Sequence, residues 1–265
     1  MKVFISADIE GVNHIAHWDE TEYGHARYDE FRKQMTEEVR RVCVGAHLAG
    51  ATEIVVKDAH DSALNLIFNE LPDYITLHRG WEGNICSMMA GLDSTYDAVC
   101  FVGYHSPSRS DGNPLSHTMN TQIFHVKING VIASEFDING LYASMLDVPV
   151  AFLAGDLNLT KLVKGINKNI ETVATKEGVH GAVISRHPHI TNQEIEDGVK
   201  LALSKDLSGN KVPLPASFDI EIQYRTHQAA YRASFFPGCK LVGTDRISFH
   251  SNNYYDVLTM FKFNL

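Results

Sequence analysis

Ala98-Val99-Cys100-Phe101-Val102-Gly103-Tyr104-His105 is the stretch on which the fold turns. It is apolar at consecutive rather than alternate positions, the pattern of a strand buried on both faces, and it ends in a histidine. Moving outward, three more runs have the same form. Val3-Phe4-Ile5 stops at Ser6-Ala7-Asp8-Ile9-Glu10-Gly11, Glu53-Ile54-Val55-Val56-Lys57-Asp58-Ala59-His60 becomes polar at its end, and Val148-Pro149-Val150-Ala151-Phe152-Leu153-Ala154-Gly155-Asp156 closes on an acid. Between the first two, Tyr28 to Ala49 reads as a helix, with Phe31, Met35, Val39, Val42 and Ala46 spaced by three or four and Gly50 placed to end it. Glu37 and Arg41 add a supporting pair on its solvated face. Buried strands separated by helical segments predict an α/β fold, a mostly parallel sheet flanked by helices.

Asn129-Gly130, between Phe124–Ile128 and Val131–Glu135, is a hairpin signal. After about residue 165 the texture changes. Thr191-Asn192-Gln193-Glu194 reads as a capping box opening a helix through Leu203, and Lys211-Val212-Pro213-Leu214-Pro215 as a stiff connector. Phe218 to Tyr224 alternates with period two, a half-exposed strand. These features predict a metal-binding catalytic α/β domain over residues 1–165 and a smaller C-terminal α+β lobe over 166–265. The aromatic tail (Phe249, Tyr254, Tyr255, Phe261, Phe263) reads as core or subunit interface. No internal repeat or low-complexity segment is present.

At 265 residues the chain can bury a core without staples. It carries 23 Lys and Arg against 32 Asp and Glu, a formal charge of −9, which argues against nucleic acid as a partner. Cys43, Cys86, Cys100 and Cys239 are widely separated in apolar sequence, as reduced thiols would be. The apolar start is too short for a signal peptide and no stretch is long enough to span a membrane, so the expected location is cytoplasmic. The 14 histidines are an excess for a chain of this size.

Chemistry collects where the strands end: Asp8 and Glu10, then Asp58 and His60, then His105. The crevice beyond the carboxyl ends of an open α/β sheet is the usual ligand site. Asp8 and Glu10, two apart in extended backbone, point to one side, and Glu135 at the end of the hairpin return can fold back to the same edge. Three carboxylates and two imidazoles can hold two divalent metals with one carboxylate shared, and such donors suit zinc, with manganese or iron as substitutes. Each residue alone has an ordinary explanation, as a turn acid, a cap or a satisfied histidine; the case rests on their succession. His-Glu-x-x-His is absent.

His117, in the polar loop after His105, reads equally as a general acid or base and as a residue holding others by hydrogen bonds. Rival histidines are His14, His17 and the pair His187 and His189. There is no Gly-x-Ser-x-Gly elbow, Walker loop or dinucleotide fingerprint, and the Asn158-Leu159-Thr160 sequon reads as chance.

Ser6-Ala7-Asp8-Ile9-Glu10-Gly11 resembles the Ser-x-Asp-x-Glu-Gly motif of the zinc-dependent D-aminopeptidases of the bacterial dipeptide-transport type. Asp58-Ala59-His60, Gly103-Tyr104-His105, Ser116-His117-Thr118-Met119 and Glu135 with Asn139 follow in the family's order, from residue 1 to about 156. The resemblance implies two zinc ions per chain, with Asp8 bridging, Glu10 and His60 completing one metal site, and His105 and Glu135 the other. It makes His117 the catalytic histidine. It also implies a homo-oligomer, since known members form a ring-based decamer whose channel admits short peptides, typically with D-alanine first. Two departures stand out. Lys57 and Ala59 replace Asn and Ser beside Asp58, and Asp111-Gly112-Asn113 lengthens a loop expected near the substrate.

The sequence therefore points to a dinuclear zinc aminopeptidase releasing N-terminal residues, D-alanine among them, from short peptides. Two other readings use the same residues. One is a metal-dependent hydrolase of phosphoesters or non-peptide amides, although Arg109 is the only arginine near the motifs. The other is a non-catalytic, metal-bearing oligomeric protein, which a carboxylate-rich site fits less well than a closed cysteine site would.

Overall fold

The computed structural model describes residues 1–265. Twelve strands and six helices follow one another in the chain. β1 (Lys2–Ala7), α1 (Tyr28–Leu48), β2 (Glu53–Asp58), β3 (Thr76–His78) and β4 (Ala98–Tyr104) come first. β5 (Ile123–Ile128), β6 (Val131–Ile132), α2 (Glu135–Met145), β7 (Val150–Asp156), α3 (Leu157–Ile166), β8 (Glu171–Val179), β9 (Ala182–Ser185) and α4 (Pro188–Leu203) follow. β10 (Phe218–Tyr224), α5 (His227–Ala233), β11 (Lys240–Leu241), β12 (Arg246–Ser251) and α6 (Tyr254–Asn264) close the chain.

Seven strands form the main sheet in the order β3-β2-β1-β4-β7-β8-β9, parallel except for β9. Strand periodicity divides its side chains between two cores. Val3, Ile5 and Ala7 of β1 and Cys100 and Val102 of β4 pack with Val39 and Val42 of α1 and Ile195 and Val199 of α4. Phe4, Val99 and Phe101 face the other way, and through Phe136 and Leu141 of α2 that core continues to Ile128, Ile220, Ile222 and Ile247 of a second sheet. The second sheet is antiparallel, in the order β11-β12-β10-β5-β6.

The expected boundary near residue 165 therefore needs correction. β8, β9 and α4 extend the main sheet and its helical layer, whereas β5 and β6 belong to the second sheet. The smaller sheet is assembled from two distant segments, because the half-exposed β10 finds its partner in β5 rather than in a neighbour in sequence. Asn129 and Gly130 make the predicted hairpin, with φ of 51° and 82°. The return strand ends at Ile132, however, and Ser134 caps α2 with Glu135 as its first residue. α4 opens at Pro188, capped by His187, so Thr191 and Glu194 lie inside it instead of boxing its start. Cys43 and Cys100 are buried, Cys86 and Cys239 half-buried, and all four are free thiols. Of the aromatic tail, Phe249, Tyr254 and Phe261 are in the core while Tyr255 and Phe263 are exposed. No helix is long and apolar enough to cross a membrane.

Candidate metal centre

β1 ends at Ala7, and the chain turns instead of staying extended through Glu10. Asp8 N donates to Val102 O at 2.9 Å and Gly11 N to Gly103 O at 2.7 Å, laying this turn on the end of β4. Both glycines are required by the approach. A Cβ on Gly11 would stand 1.8 Å from Tyr104 O, and one on Gly103, at φ 73°, 2.1 Å from Asp8 O. The turn aims both acids at one imidazole: His60 Nδ1 is 3.3 Å from Asp8 Oδ1 and 3.2 Å from Glu10 Oε2. His105, just past β4, puts Nε2 at 3.6 Å from Asp8 Oδ2 and 3.5 Å from Glu135 Oε2. His117 stacks on His105 with ring centroids 4.5 Å apart, its Nε2 3.6 Å from Glu135 Oε1 and 4.0 Å from Glu10 Oε1. The six residues singled out from the sequence thus meet in one place.

Each imidazole is oriented from behind by a carbonyl. His60 Nε2 lies 2.9 Å from Thr21 O, His105 Nδ1 2.9 Å from Ser106 O, and His117 Nδ1 2.9 Å from Leu115 O. A carbonyl only accepts, so those ring nitrogens carry the hydrogen, and the opposite nitrogens, which face the carboxylates, are the ones that can give up a proton and offer a lone pair to a cation. Asp8 Oδ2, Glu10 Oε2 and His105 Nε2 are sealed from solvent with no hydrogen-bond partner. Buried acceptors are rarely left so, and the two cation-sized groups they join are Asp8, Glu10 and His105, and His105, His117 and Glu135. A set of carboxylate and imidazole donors, with each imidazole oriented by a carbonyl and buried atoms of Asp8, Glu10 and His105 left unpartnered, fits zinc.

The charges agree. Burial pushes the Asp8 carboxyl well above its usual range, with Glu10 and Glu135 adding to the effect. Burial also opposes ionisation of Glu10 and Glu135, but the neighbouring imidazoles outweigh it, holding Glu10 well below the usual range and Glu135 down to about 2. Burial would depress His105 and His60, yet Glu135, Glu10 and Asp8 raise His105 to about 10, and Glu10 and Asp8 raise His60 well above normal. Acids and imidazoles here compete for protons that a divalent cation would displace.

Asp58 stands apart from the site. Its carboxylate accepts from Asn65 N, Asn65 Nδ2 and Leu66 N at 2.6, 2.8 and 2.8 Å, and Asn65 Nδ2 also donates to His60 O at 2.7 Å, so Asp58 holds the loop that carries the ligand. His14 is exposed, His17 caps a helical turn at Trp18–Glu20, and His187 caps α4. Lys57 reaches away from His60 to Gly80 O at 2.5 Å and lies over the Trp81 ring. The longer loop is behind the centre instead of near a substrate: Asn113 Nδ2 donates to Glu10 O at 2.9 Å, and no residue from Asp111 to Asn113 lines the cavity. Sequence reading missed Thr21, Asn65 and Lys176, whose Nζ donates to Glu10 O and to Ile15 O, and placed Asn113 near the substrate instead of behind Glu10. Their contacts join segments far apart in the chain, and no local pattern signals them.

The centre opens into a cavity of about 480 Å³ walled by Trp18, Trp81, Met88, Ile138 and Asn139, among others. Arg109 is not among its lining residues and lies over the Phe124 ring. A parallel α/β sheet with a buried carboxylate–imidazole centre at its carboxyl edge, beneath an open cavity, defines a protein of the metallohydrolase class. The model of peptidase family M55, described as D-aminopeptidase, matches residues 1–263, and the chain belongs to that family. A D-aminopeptidase of Bacillus subtilis (strain 168) is 28% identical over 255 residues, covering 96% of this chain and 92% of the relative. The solved structure of the Zn-dependent D-aminopeptidase DppA from Bacillus subtilis, described as a self-compartmentalizing protease, superposes with a TM-score of 0.92 at 27% identity, covering 98% of this chain and 95% of that one.

Proposed function

We propose that this chain is a dinuclear zinc aminopeptidase that releases N-terminal D-residues, D-alanine among them, from short peptides. The observation that carries the reading is three imidazoles, each held by a backbone carbonyl, facing three buried carboxylates, two of which, Asp8 and Glu10, keep an oxygen without a partner. Asp8 would bridge two ions, Glu10 and His60 would complete one site, and His105 and Glu135 the other. When bound, zinc in such a site lowers the pKa of water and polarises a carbonyl. The chain's own residues do the rest. His117 Nδ1–H is committed to Leu115 O, so Nε2 is the atom that takes up a proton and returns it to the departing amine. Trp18, edge-on to His117 with centroids 5.3 Å apart, keeps that ring in place and excludes water from one side.

Self-compartmentalization is a property of the solved relative. For this chain it supports a homo-oligomer, the decamer of the family it resembles, and exposed apolar side chains such as Phe235 and Phe263 supply surface for contacts. The test is release of p-nitroaniline from D-alanine and L-alanine p-nitroanilides, with zinc content and mass by light scattering measured on the same preparation. The expected result is D-selective release, two zinc ions per chain and a multiple of the 29.5 kDa chain mass. Two zinc ions without release from either compound would move the reading to another amide or ester. Absence of both zinc and activity would remove it.

A further inference from the structure

One polar side chain on the cavity wall has its orientation dictated from behind. Met88 O, a backbone carbonyl, can only accept, and Ser6 Oγ donates its single hydrogen to it at 3.0 Å. Tyr104 Oη, 2.7 Å from Ser6 Oγ, is therefore the donor of that pair and keeps only lone pairs to offer. Asn139 Nδ2 donates to Tyr104 Oη at 3.0 Å and to Met88 Sδ at 3.3 Å, which spends both amide hydrogens. The carbonyl of Met88 thus sets the polarity of the whole chain of hydrogen bonds and fixes which way the Asn139 amide faces. Its Oδ1 is left with unspent capacity, on a residue that lines the cavity one helical turn beyond Glu135.

We infer that Asn139 Oδ1 accepts a hydrogen bond from the α-amino group of the substrate's first residue. The inference rests on the aminopeptidase reading and names the residue that would recognise the free amine. Six carboxylates and a single lysine, Lys262, line the cavity, so it favours a cationic group. Glu135 is already engaged, with Oε1 accepting from Met119 N at 2.8 Å and Oε2 facing His105. Asn139, next on the same helix face, offers a neutral acceptor held rigidly by Ser6 and Tyr104. The same chain of bonds gives Ser6, ahead of Asp8, a role in recognition.

The test compares D-alanine hydroxamate with propionohydroxamate, which differ only in the α-amine, binding to the zinc-loaded protein by calorimetry. A hydrogen bond to a charged group is worth about 1.5–3 kcal/mol, so N139A should weaken binding of the amine-bearing compound about 10–100-fold. Binding of the des-amino compound and zinc content should stay at wild-type levels. Y104F, which frees the amide to turn, should reduce the amine preference in the same direction by a smaller factor, and it decides the matter alone if N139A does not fold. Equal losses for both compounds, or an amine preference untouched in both variants, would overturn the assignment while leaving the metal reading intact. A wild-type protein that binds neither compound would overturn the metal reading and this inference with it.

Discussion

His117 shows how much a single contact decides. Its ring lies almost parallel to that of His105, 12° between planes, and its Nε2 faces Glu135 and Glu10 in the same cluster as the metal donors. Type and position alone do not separate a ligand from a proton carrier. As a proton carrier, His117 replaced by alanine should cost about 10²–10⁴-fold in turnover while zinc content, measured by atomic absorption on the same sample, stays at the wild-type level. Loss of one zinc equivalent would instead make His117 a ligand beside His105 and Glu135. At this scale Asp8, Glu10, His60 and His105 are legible in the sequence, because acids and histidines at successive strand ends share one edge, whereas Glu135, read as the end of a return strand, reaches the centre as the first residue of α2. Asp58 misleads, since an acid at a strand end looks the same whether it faces the site or ties down a loop.

At the scale of elements, the turn bearing Glu10 is held by β8, a strand with no chemistry of its own. Lys176 Nζ donates to Glu10 O and Ile15 O, and Thr175 Oγ1 donates to Gly11 O at 2.5 Å. Burial lowers the Lys176 ammonium to about 8, a cost the fold accepts for two charge-assisted bonds to backbone carbonyls. Lys176→Met keeps the volume but removes both bonds, leaving Ile15 O unpaired and Glu10 O with Asn113 Nδ2 alone, so the turn should loosen. Partners that orient ligands typically contribute 10–100-fold to metal affinity, and K176M should show a zinc dissociation constant raised at least about tenfold in a chelator competition. An unchanged constant would reduce Lys176 to packing. β1, β2, β4 and β7 are readable from their apolar runs. β8 is not, because its exposed and polar positions conceal that it pairs in parallel with β7.

Across the whole molecule, α1 is joined to the loop behind the centre by a buried acid. Glu38 Oε1 accepts from Asn13 N at 2.9 Å and from Gln34 Nε2 at 3.1 Å, while Oε2 has no partner, and burial pushes the carboxyl up to about 7. A carboxyl whose folded pKa exceeds its unfolded value of about 4.3 favours the folded state when protonated. Its contribution is therefore full below about pH 4 and is lost as pH rises through 7. Glu38→Gln keeps the acceptor without the charge, so E38Q should be more stable than wild type at pH 8, by on the order of 2 kcal/mol, with the difference vanishing toward pH 4. Thermal melts of the two proteins across this range would show it, and a gap that does not change with pH would refute it.

In the sequence by itself, local periodicity and strand-end chemistry carry the α/β class, the mostly parallel sheet, the Asn129-Gly130 hairpin and four residues of the centre, Asp8, Glu10, His60 and His105. Strand ends share an edge, which brings those four together. Tertiary structure alone decided the two-segment second sheet, the imidazole tautomers set by Thr21, Ser106 and Leu115, the lysine beneath Glu10 and the facing of Asn139. Each of these depends on a hydrogen bond or strand pairing whose geometry is created by the fold, and periodicity in a sequence carries no record of which carbonyl will stand behind which side chain.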